Sequence, residues 1–499
     1  MLSAYNNAAS CHNYKEVHMK KLFTLLLSLT MLLGLCACTT GGQGTEPPTK
    51  GEFLVGFGEV DITPKESVPL LGYGTSTDRW SDGVLSNLYA HCLAVRDEDG
   101  NTALMISVDG AATPGDKAAP MVQAKTGVPL SNIIISASHQ HSTPDYAASA
   151  GEAAARYYTQ VTEGIVGAAE NAIKDLAPAE MYIASTETKN LTFVRNYILS
   201  DGTFYGDNYG TMGPGVTIVD HESEADNTLQ LLKFVRTGDK KNIVVANFQG
   251  HPHIGNRYDT AVGLANRSKV HADAVGVFRD ELSAKLDCNV MYFSGAGGNL
   301  NMFSRIIKEN KYTTMESHGK KLADYAYKAE DSYVKVNTGK VQGLTVTKTY
   351  NTDKSQEHLY PRAVEFMKIW NSQGQSAAQA ALKDFPEFHS VYHGKYVVVK
   401  HELPATRDMN IYAISFGDVG FTGAPCEMFD ENGEQIKSGS PFKMTIVSTM
   451  ANGADGYVPS QRGFTNGGYS TDITRYGPGT GEQLAGDLVS LLTQMKNAQ

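Results

Sequence analysis

The sequence predicts an α/β fold, a layered α/β/α domain built on a mixed, partly antiparallel sheet. Three observations predict it. Four short apolar runs each end in a cluster of glycines and polar residues, apolar residues recur at spacings of three and four in the stretches between them, and two pairs of strand-like runs are joined by tight turns. A half-exposed strand alternates, so uniformly apolar runs of this length read as strands buried on both faces, as in a sheet covered by helices.

Taken in order, the first hairpin is Leu88 to Arg96, a turn at Glu98-Asp99-Gly100-Asn101, and Thr102 to Val108. A helix is expected from Ala118 to Lys125. The first apolar run, Asn132-Ile133-Ile134-Ile135-Ser136-Ala137, then ends in Ser138-His139-Gln140-His141-Ser142. Glu152 to Leu176 has helical spacing. The second hairpin is Leu229 to Val235, Thr237-Gly238-Asp239 and Asn242 to Asn247, and its second arm ends in Gly250-His251-Pro252-His253. A helix from His271 to Leu286 leads to Asn289-Val290-Met291-Tyr292-Phe293, which ends in Ser294-Gly295-Ala296-Gly297-Gly298-Asn299. Helices over Met315 to Tyr327 and Pro361 to Phe385 follow. The last run, Met444 to Ser448, precedes Asn452-Gly453-Ala454-Asp455-Gly456-Tyr457, and Glu482 to Met495 closes the chain as a helix. Ligands in covered sheets gather at the carboxyl ends of strands, so strand ends that release His, Asn and Tyr along one edge are the candidate site. No repeat and no second domain boundary is visible after Gly51.

Composition narrows the function. The 499 residues carry 43 Lys+Arg against 53 Asp+Glu, a net charge of −10, with no basic run longer than a pair. Nucleic-acid binding needs a cationic surplus to displace counterions, so that class is excluded. At 41% hydrophobic and 19% charged the chain is globular, and its 49 glycines imply many tight turns.

The N-terminal segment reads as a targeting signal. Met19-Lys20-Lys21 precedes the largely apolar Leu22 to Leu35, too short to span a bilayer, and then Cys36-Ala37-Cys38. Leu35-Cys36-Ala37-Cys38 resembles a bacterial lipobox with Cys38 as the lipidated mature N-terminus. The expected organisation is an extension and signal over 1–38 with the true start at Met19, a flexible tether over 39–50 rich in Gly and Pro, and one catalytic domain over 51–499. The expected location is the outside of the cell or the cell envelope. Cleavage before Cys38 removes three lysines and one glutamate, leaving a net charge of −12. Cys92, Cys288 and Cys426 then remain, widely spaced and odd in number, which implies neither a disulfide framework nor a Cys-x-x-Cys metal pair.

Several reaction classes lack their motifs: there is no Gly-x-Ser-x-Gly, no P-loop, no His-Glu-x-x-His and no complete Gly-x-Gly-x-x-Gly after a strand. The histidines are more informative. His139 and His141, and His251 and His253, are pairs two residues apart at strand ends, so each pair can present imidazoles to one side. An isolated pair is as readily structural as metal-binding. Two pairs in the same context favour a metal, and zinc takes imidazole and carboxylate ligands.

An ordered series of motifs resembles the neutral/alkaline non-lysosomal ceramidases, in their N-terminal catalytic domain. It begins at Val55-Gly56-Phe57-Gly58-Glu59-Val60-Asp61-Ile62-Thr63-Pro64 and Leu71-Gly72-Tyr73. It continues through Leu104 to Asp109, Ser138 to Pro144, Phe193-Val194-Arg195-Asn196-Tyr197, Gly250-His251-Pro252 and His271-Ala272-Asp273. It ends with Ala296 to Asn301, Pro425-Cys426-Glu427, Gly456 to Ser460 and Gly467-Gly468-Tyr469. The resemblance implies one zinc ion held by His139, His251, Glu427 and Tyr457. It places His141 and Tyr469 at the reacting centre and Arg195 near the polar end of the substrate. Without it, Glu427 reads as an acid at a helix N-terminus and the two tyrosines as packing.

Two departures from the family pattern stand out. Asn301 occupies the place of a family serine, and an amide can donate a hydrogen bond to an oxyanion but cannot serve as nucleophile. The expected attacking group is therefore a water, with Asn301 orienting the carbonyl. The second is length: the expectation is a catalytic domain without the C-terminal β-sandwich usual in the family. The expectation is an exported, lipid-anchored zinc amidohydrolase acting on the N-acyl amide bond of ceramide or a related N-acyl lipid. Two alternatives remain open: a metal-dependent hydrolase of another amide or an ester, and a surface lipoprotein that binds glycan or lipid without turnover.

Overall fold

The computed structural model describes residues 51–499 except 74–78, 148–149, 207–211, 213 and 258. The expectations for Met19, Cys38 and the tether lie outside the described residues. The described residues form one compact unit, and no helix among them is long and apolar enough to cross a membrane.

The larger of two main sheets contains β1 (Leu54–Asp61), β2 (Tyr89–Arg96), β3 (Thr102–Val108), β4 (Ile133–Ala137), β5 (Ala177–Glu187), β6 (Thr228–Arg236), β7 (Ile243–Phe248), β8 (Asn289–Ser294) and β9 (Val334–Val336). Their order is β8-β7-β6-β5-β1-β2-β3-β4, with β9 also against β5. The inner pairs are antiparallel, and only the outermost pairs, β3 with β4 and β7 with β8, are parallel. Both expected hairpins are present as β2–β3 and β6–β7.

Parallel neighbours need a crossover, and a helix supplies each one. Helix α1 (Gly115–Thr126) connects β3 to β4, and α3 (Asp273–Leu286) connects β7 to β8. With α2 (Glu152–Lys174) and α4 (Met315–Lys328) they cover one face of the sheet. Helix α2 approaches β1 so closely that a Cβ on Gly58 would lie 2.0 Å from the Ala168 carbonyl oxygen, which explains a glycine in mid-strand.

The fold has a further sheet beyond the layers read from the sequence. Strands β10 (Val341–Asn351), β11 (Thr406–Phe416), β12 (Val419–Gly423) and β13 (Met444–Ser448) pair in that order, the last pair parallel with α8 (Asp430–Gly439) as its crossover. Alternate residues of the first sheet, among them Leu93, Met105, Phe234 and Phe293, pack against Phe416, Phe421 and Ile446 of the second. The other face of the second sheet packs on α8 and on α10 (Thr480–Asn497), which follows the short α9 (Tyr469–Ile473), through Ile411, Ile436, Val447, Leu484 and Leu488. The layers are therefore helix, sheet, sheet, helix. Strands β3, β4, β7 and β13 are buried along their whole length between these layers, the physical reason for the uniformly apolar runs.

The stretch expected as one helix from Pro361 to Phe385 is broken at Gly374, whose φ of 88° no helix accepts. It forms α5 (Tyr360–Gln373) and α6 (Gln375–Ala381), followed by α7 (Val391–Glu402), which the sequence did not announce. These three share a small core of their own around Phe366, Phe385 and Phe388.

The first sheet curls until its ends approach one another. Ser107 of β3 donates a 2.5 Å hydrogen bond to the Tyr292 carbonyl of β8. Asn452, after β13, bonds the backbone of Ile133 and Ile135 along the outer edge of β4. Strands that are distant in sheet order thus end side by side.

Candidate metal centre

Three parallel crossovers deliver the predicted residues. His139 and His141 follow β4, His251 and His253 follow β7, Glu427 follows β12, and Tyr457 pairs directly with Glu427 across a short parallel bridge. The carboxyl ends of strands are where such sheets leave side chains free.

His139 Nε2 lies 3.2 Å from Glu427 Oε2, and His251 Nε2 lies 3.1 Å from the same oxygen. The other nitrogen of each ring faces backbone carbonyls: His139 Nδ1 is 2.6 Å from Ala111 O, and His251 Nδ1 is 2.9 Å from both Gly297 O and Leu300 O. A carbonyl only accepts, so both Nδ1 atoms carry hydrogen and each Nε2 is turned inward. This tautomer and orientation are those of metal-ligating histidines whose outer nitrogen is pinned by the protein.

The electrostatics sharpen this arrangement. Burial, reinforced by the Arg195 charge, pushes His251 down to about 3, so the ring is neutral. Its Nε2 lone pair then faces a carboxylate oxygen, and two acceptors meet at 3.1 Å. Burial opposes ionisation of Glu427 and of His139 alike, yet their mutual attraction prevails, holding the carboxyl well below and the imidazole above its usual range. A cation among the three groups would satisfy both acceptors, so the donor set fits a metal. His139, His141 and His251 also form one of the groups whose ligand atoms lie within 4.8 Å of one another.

The surroundings hold these groups rigidly. His139 sits at φ 69°, a left-handed conformation costly for a side chain with a Cβ. Its loop is braced by Asp109, which bonds the Gln140 amide at 2.8 Å and takes Arg279 in a two-pronged pair at 2.7 and 2.6 Å. Gly72, at φ 119°, lies so close to His141 that a Cβ would come within 2.6 Å of it. Arg79 donates to the His141 carbonyl at 2.9 Å. The brace and Arg79 escaped the sequence reading, although Asp109 closes a motif and a buried aspartate needs a partner.

A cavity of about 330 Å³ opens on the centre, lined by His139, His141, Glu427, Tyr457, Tyr469 and, from α7, Lys395 with its neighbours Tyr392 and Tyr396. Tyr457 and Tyr469 meet edge to face at 6.1 Å. Burial raises both phenols well above their usual range, and the nearby Arg195 charge opposes it at each. His141 is neutral, lowered by burial and by the imidazoles of His253, His139 and His251, and its Nδ1 is buried without a hydrogen-bond partner.

Two predicted residues lie behind the cavity wall. Arg195 is buried beneath Tyr457, 5.3 Å from its ring centre, and bonds Gly298 O and Ser470 Oγ at 2.8 and 2.9 Å. Asn301 is buried with its Oδ1 3.0 Å from His253 Nε2, and the His253 ring stacks on His141 at 5.0 Å. The structure therefore brings His139, His141, His251, Glu427, Tyr457 and Tyr469 to one place, with Arg195 and Asn301 supporting them.

Residues 53–268 match the family described as neutral/alkaline non-lysosomal ceramidase, N-terminal. A solved neutral ceramidase from Pseudomonas aeruginosa is similar at a TM-score of 0.64 and 17% identity, covering 89% of this chain and 75% of that one. A structure titled as ceramidase complexed with C2 is similar at 0.63 and 16%, covering 90% and 76%. No curated protein matches. The resemblance read from the motifs stands, and the likenesses support a ceramidase-like hydrolase.

Proposed function

We propose that the protein is a zinc-dependent amidohydrolase of the neutral ceramidase type, cleaving the N-acyl amide bond of ceramide or a related N-acyl lipid. The observation that carries the reading is the pair of inward Nε2 atoms converging on one Glu427 oxygen at 3.2 and 3.1 Å, beside a cavity. His139, His251, Glu427 and Tyr457 would hold the ion. Bound there, zinc would polarise the amide carbonyl and lower the pKa of a water toward neutrality.

The chain's own residues supply the rest. His141, neutral and with a partnerless Nδ1, takes up the proton released when water attacks and returns it to the leaving amine. Tyr469 donates its hydroxyl to the oxygen on which charge develops. Arg195 holds Tyr457 from behind, and Asn301 positions His141 through His253 rather than touching the substrate.

Metal analysis coupled to hydrolysis of N-acylsphingosine tests the reading. His139→Ala with His251→Ala is expected to lose one zinc equivalent and all turnover, and undiminished zinc or residual full activity refutes it. Lys395, which lines the cavity with its ammonium 5.6 Å from the Trp370 ring centre, favours a second reading, in which the amide or ester carries an anionic group. N-acyl amino acids and aryl esters assayed beside N-acylsphingosine separate the two.

Export and lipid anchoring belong to the same proposal, supported by Lys20-Lys21, the apolar stretch to Leu35 and the Cys36-Ala37-Cys38 sequence. Cys38→Ala is expected to abolish labelling by a radioactive fatty acid in a bacterial host, and retained labelling would remove the anchor from the proposal.

A further inference from the structure

A second cluster of imidazoles and carboxylate lies on the far side of the cavity wall. His389 Nδ1 is 3.0 Å from Asp472 Oδ2, and His393 Nδ1 is 3.6 Å from the same oxygen. The three ligand atoms lie within 4.8 Å of one another. A tetrahedral ion with ligands at about 2.0–2.2 Å separates neighbouring ligand atoms by roughly 3.3–3.5 Å. Both distances fall near that edge length, as do the two at the first centre.

Hydrogen bonding alone leaves His393 poorly accommodated. Its Nδ1 accepts a long hydrogen bond from the His389 backbone N–H at 3.2 Å, so this nitrogen carries a lone pair; that lone pair also faces the Asp472 carboxylate, and an ion bound there would take it in place of the N–H. Its Nε2 is buried with no partner, in a side chain 1% exposed. No hydrogen bond at the far nitrogen accounts for the orientation of the ring, and Phe388 packs against it edge to face at 5.6 Å. Two acceptors share one small space here, as at His251. His389 has a side chain 53% exposed, which gives an ion a way in and leaves room for water to complete its coordination.

We infer that His389, His393 and Asp472 form a second metal site, for a divalent transition ion of the zinc class, distinct from the centre at Glu427. Two imidazoles and one carboxylate, open to water, suit zinc rather than calcium or magnesium, which prefer oxygen ligands. The site has a structural consequence for the cavity. His389 and His393 lead into and begin α7, which carries Tyr392, Lys395 and Tyr396, whereas Asp472 lies on α9 (Tyr469–Ile473), which carries Tyr469. An ion there ties together two walls of the cavity.

The experiment loads the full-length chain with Zn²⁺, removes excess by gel filtration and counts metal per chain by mass spectrometry. Two equivalents are expected in the wild type and one in each of His389→Ala and Asp472→Asn. The His139→Ala, His251→Ala double variant is also expected to keep one. An equivalent that survives in the double variant but is lost in His389→Ala upholds the second site even if the first centre proves wrong. A wild type binding a single equivalent that the double variant loses overturns it, as does a His389→Ala variant still binding two. Diethyl pyrocarbonate modification gives an independent readout: Zn²⁺ is expected to protect His389 in the wild type and not in Asp472→Asn. Equal modification with and without Zn²⁺ in the wild type counts against the site.

Discussion

Tyr469 is the residue whose role is most sharply testable by a single atom. It lines the cavity with a neutral hydroxyl, so Tyr469→Phe removes one donor without disturbing the wall. Losing one oxyanion donor costs about 10²–10³ in kcat, and the variant is expected to keep its full zinc content by metal analysis. Asp109 and Arg279 act differently, because both are buried and neither touches the cavity. Removing one partner of such a pair costs about 3–5 kcal/mol, measurable for Arg279→Met by urea unfolding. Burial raises the Asp109 carboxyl, but the Arg279 guanidinium outweighs it and holds the group below its ordinary value. Its contribution is therefore fully present above the ordinary aspartate range and is lost as pH falls through the lower folded value. The acid limb of the stability curve is expected to flatten in Asp109→Asn, whose unfolding should be less pH-dependent below about pH 4.

At the scale of elements, helix α7 shows how a wall of the cavity is fastened. Lys400 near its end is buried, pairs with Asp353 at 2.7 Å and also donates to the Asp472 carbonyl at 3.2 Å. The outer rim of the cavity thus depends on one internal cation. Lys400→Met leaves Asp353 buried and unpaired, and hydrogen exchange is expected to quicken across 391–402 while β4 and β7 keep their protection. KM is expected to rise more than kcat falls, since α7 lines the cavity and supplies no group to the centre at Glu427. The three crossover units are the other lesson of this scale. Each ends a strand of the parallel pair just before His139, His251 or Glu427, so the turn that stops the strand also aims the side chain.

At the scale of the whole molecule, the centre joins both sheets, because its histidines follow strands of the first sheet and its carboxylate follows a strand of the second. Any ligand that binds only the folded state adds to stability. Chelation is therefore expected to lower Tm by several degrees in the wild type and by less in the His139→Ala, His251→Ala variant, and re-added zinc should restore each to its own starting value. Calorimetry before and after chelation checks this.

The sequence by itself determined the strands that form the apolar runs and the two hairpins, most of the helices and, through the family resemblance, the residues that converge on the candidate site. Runs such as Ile133-Ile134-Ile135 are legible because burial on both faces removes alternation, and His139 and His251 are legible because each pair closes such a run. Tertiary structure alone decided the second sheet as a separate layer, the split at Gly374 and the approach of β4 to β8. These depend on packing between segments hundreds of residues apart, which no local pattern records. It also decided that Arg195 and Asn301 stand behind the cavity, and that His389 and His393 meet Asp472. Periodicity along a chain reports which side of an element is buried, whereas only the packed elements decide which buried groups face one another.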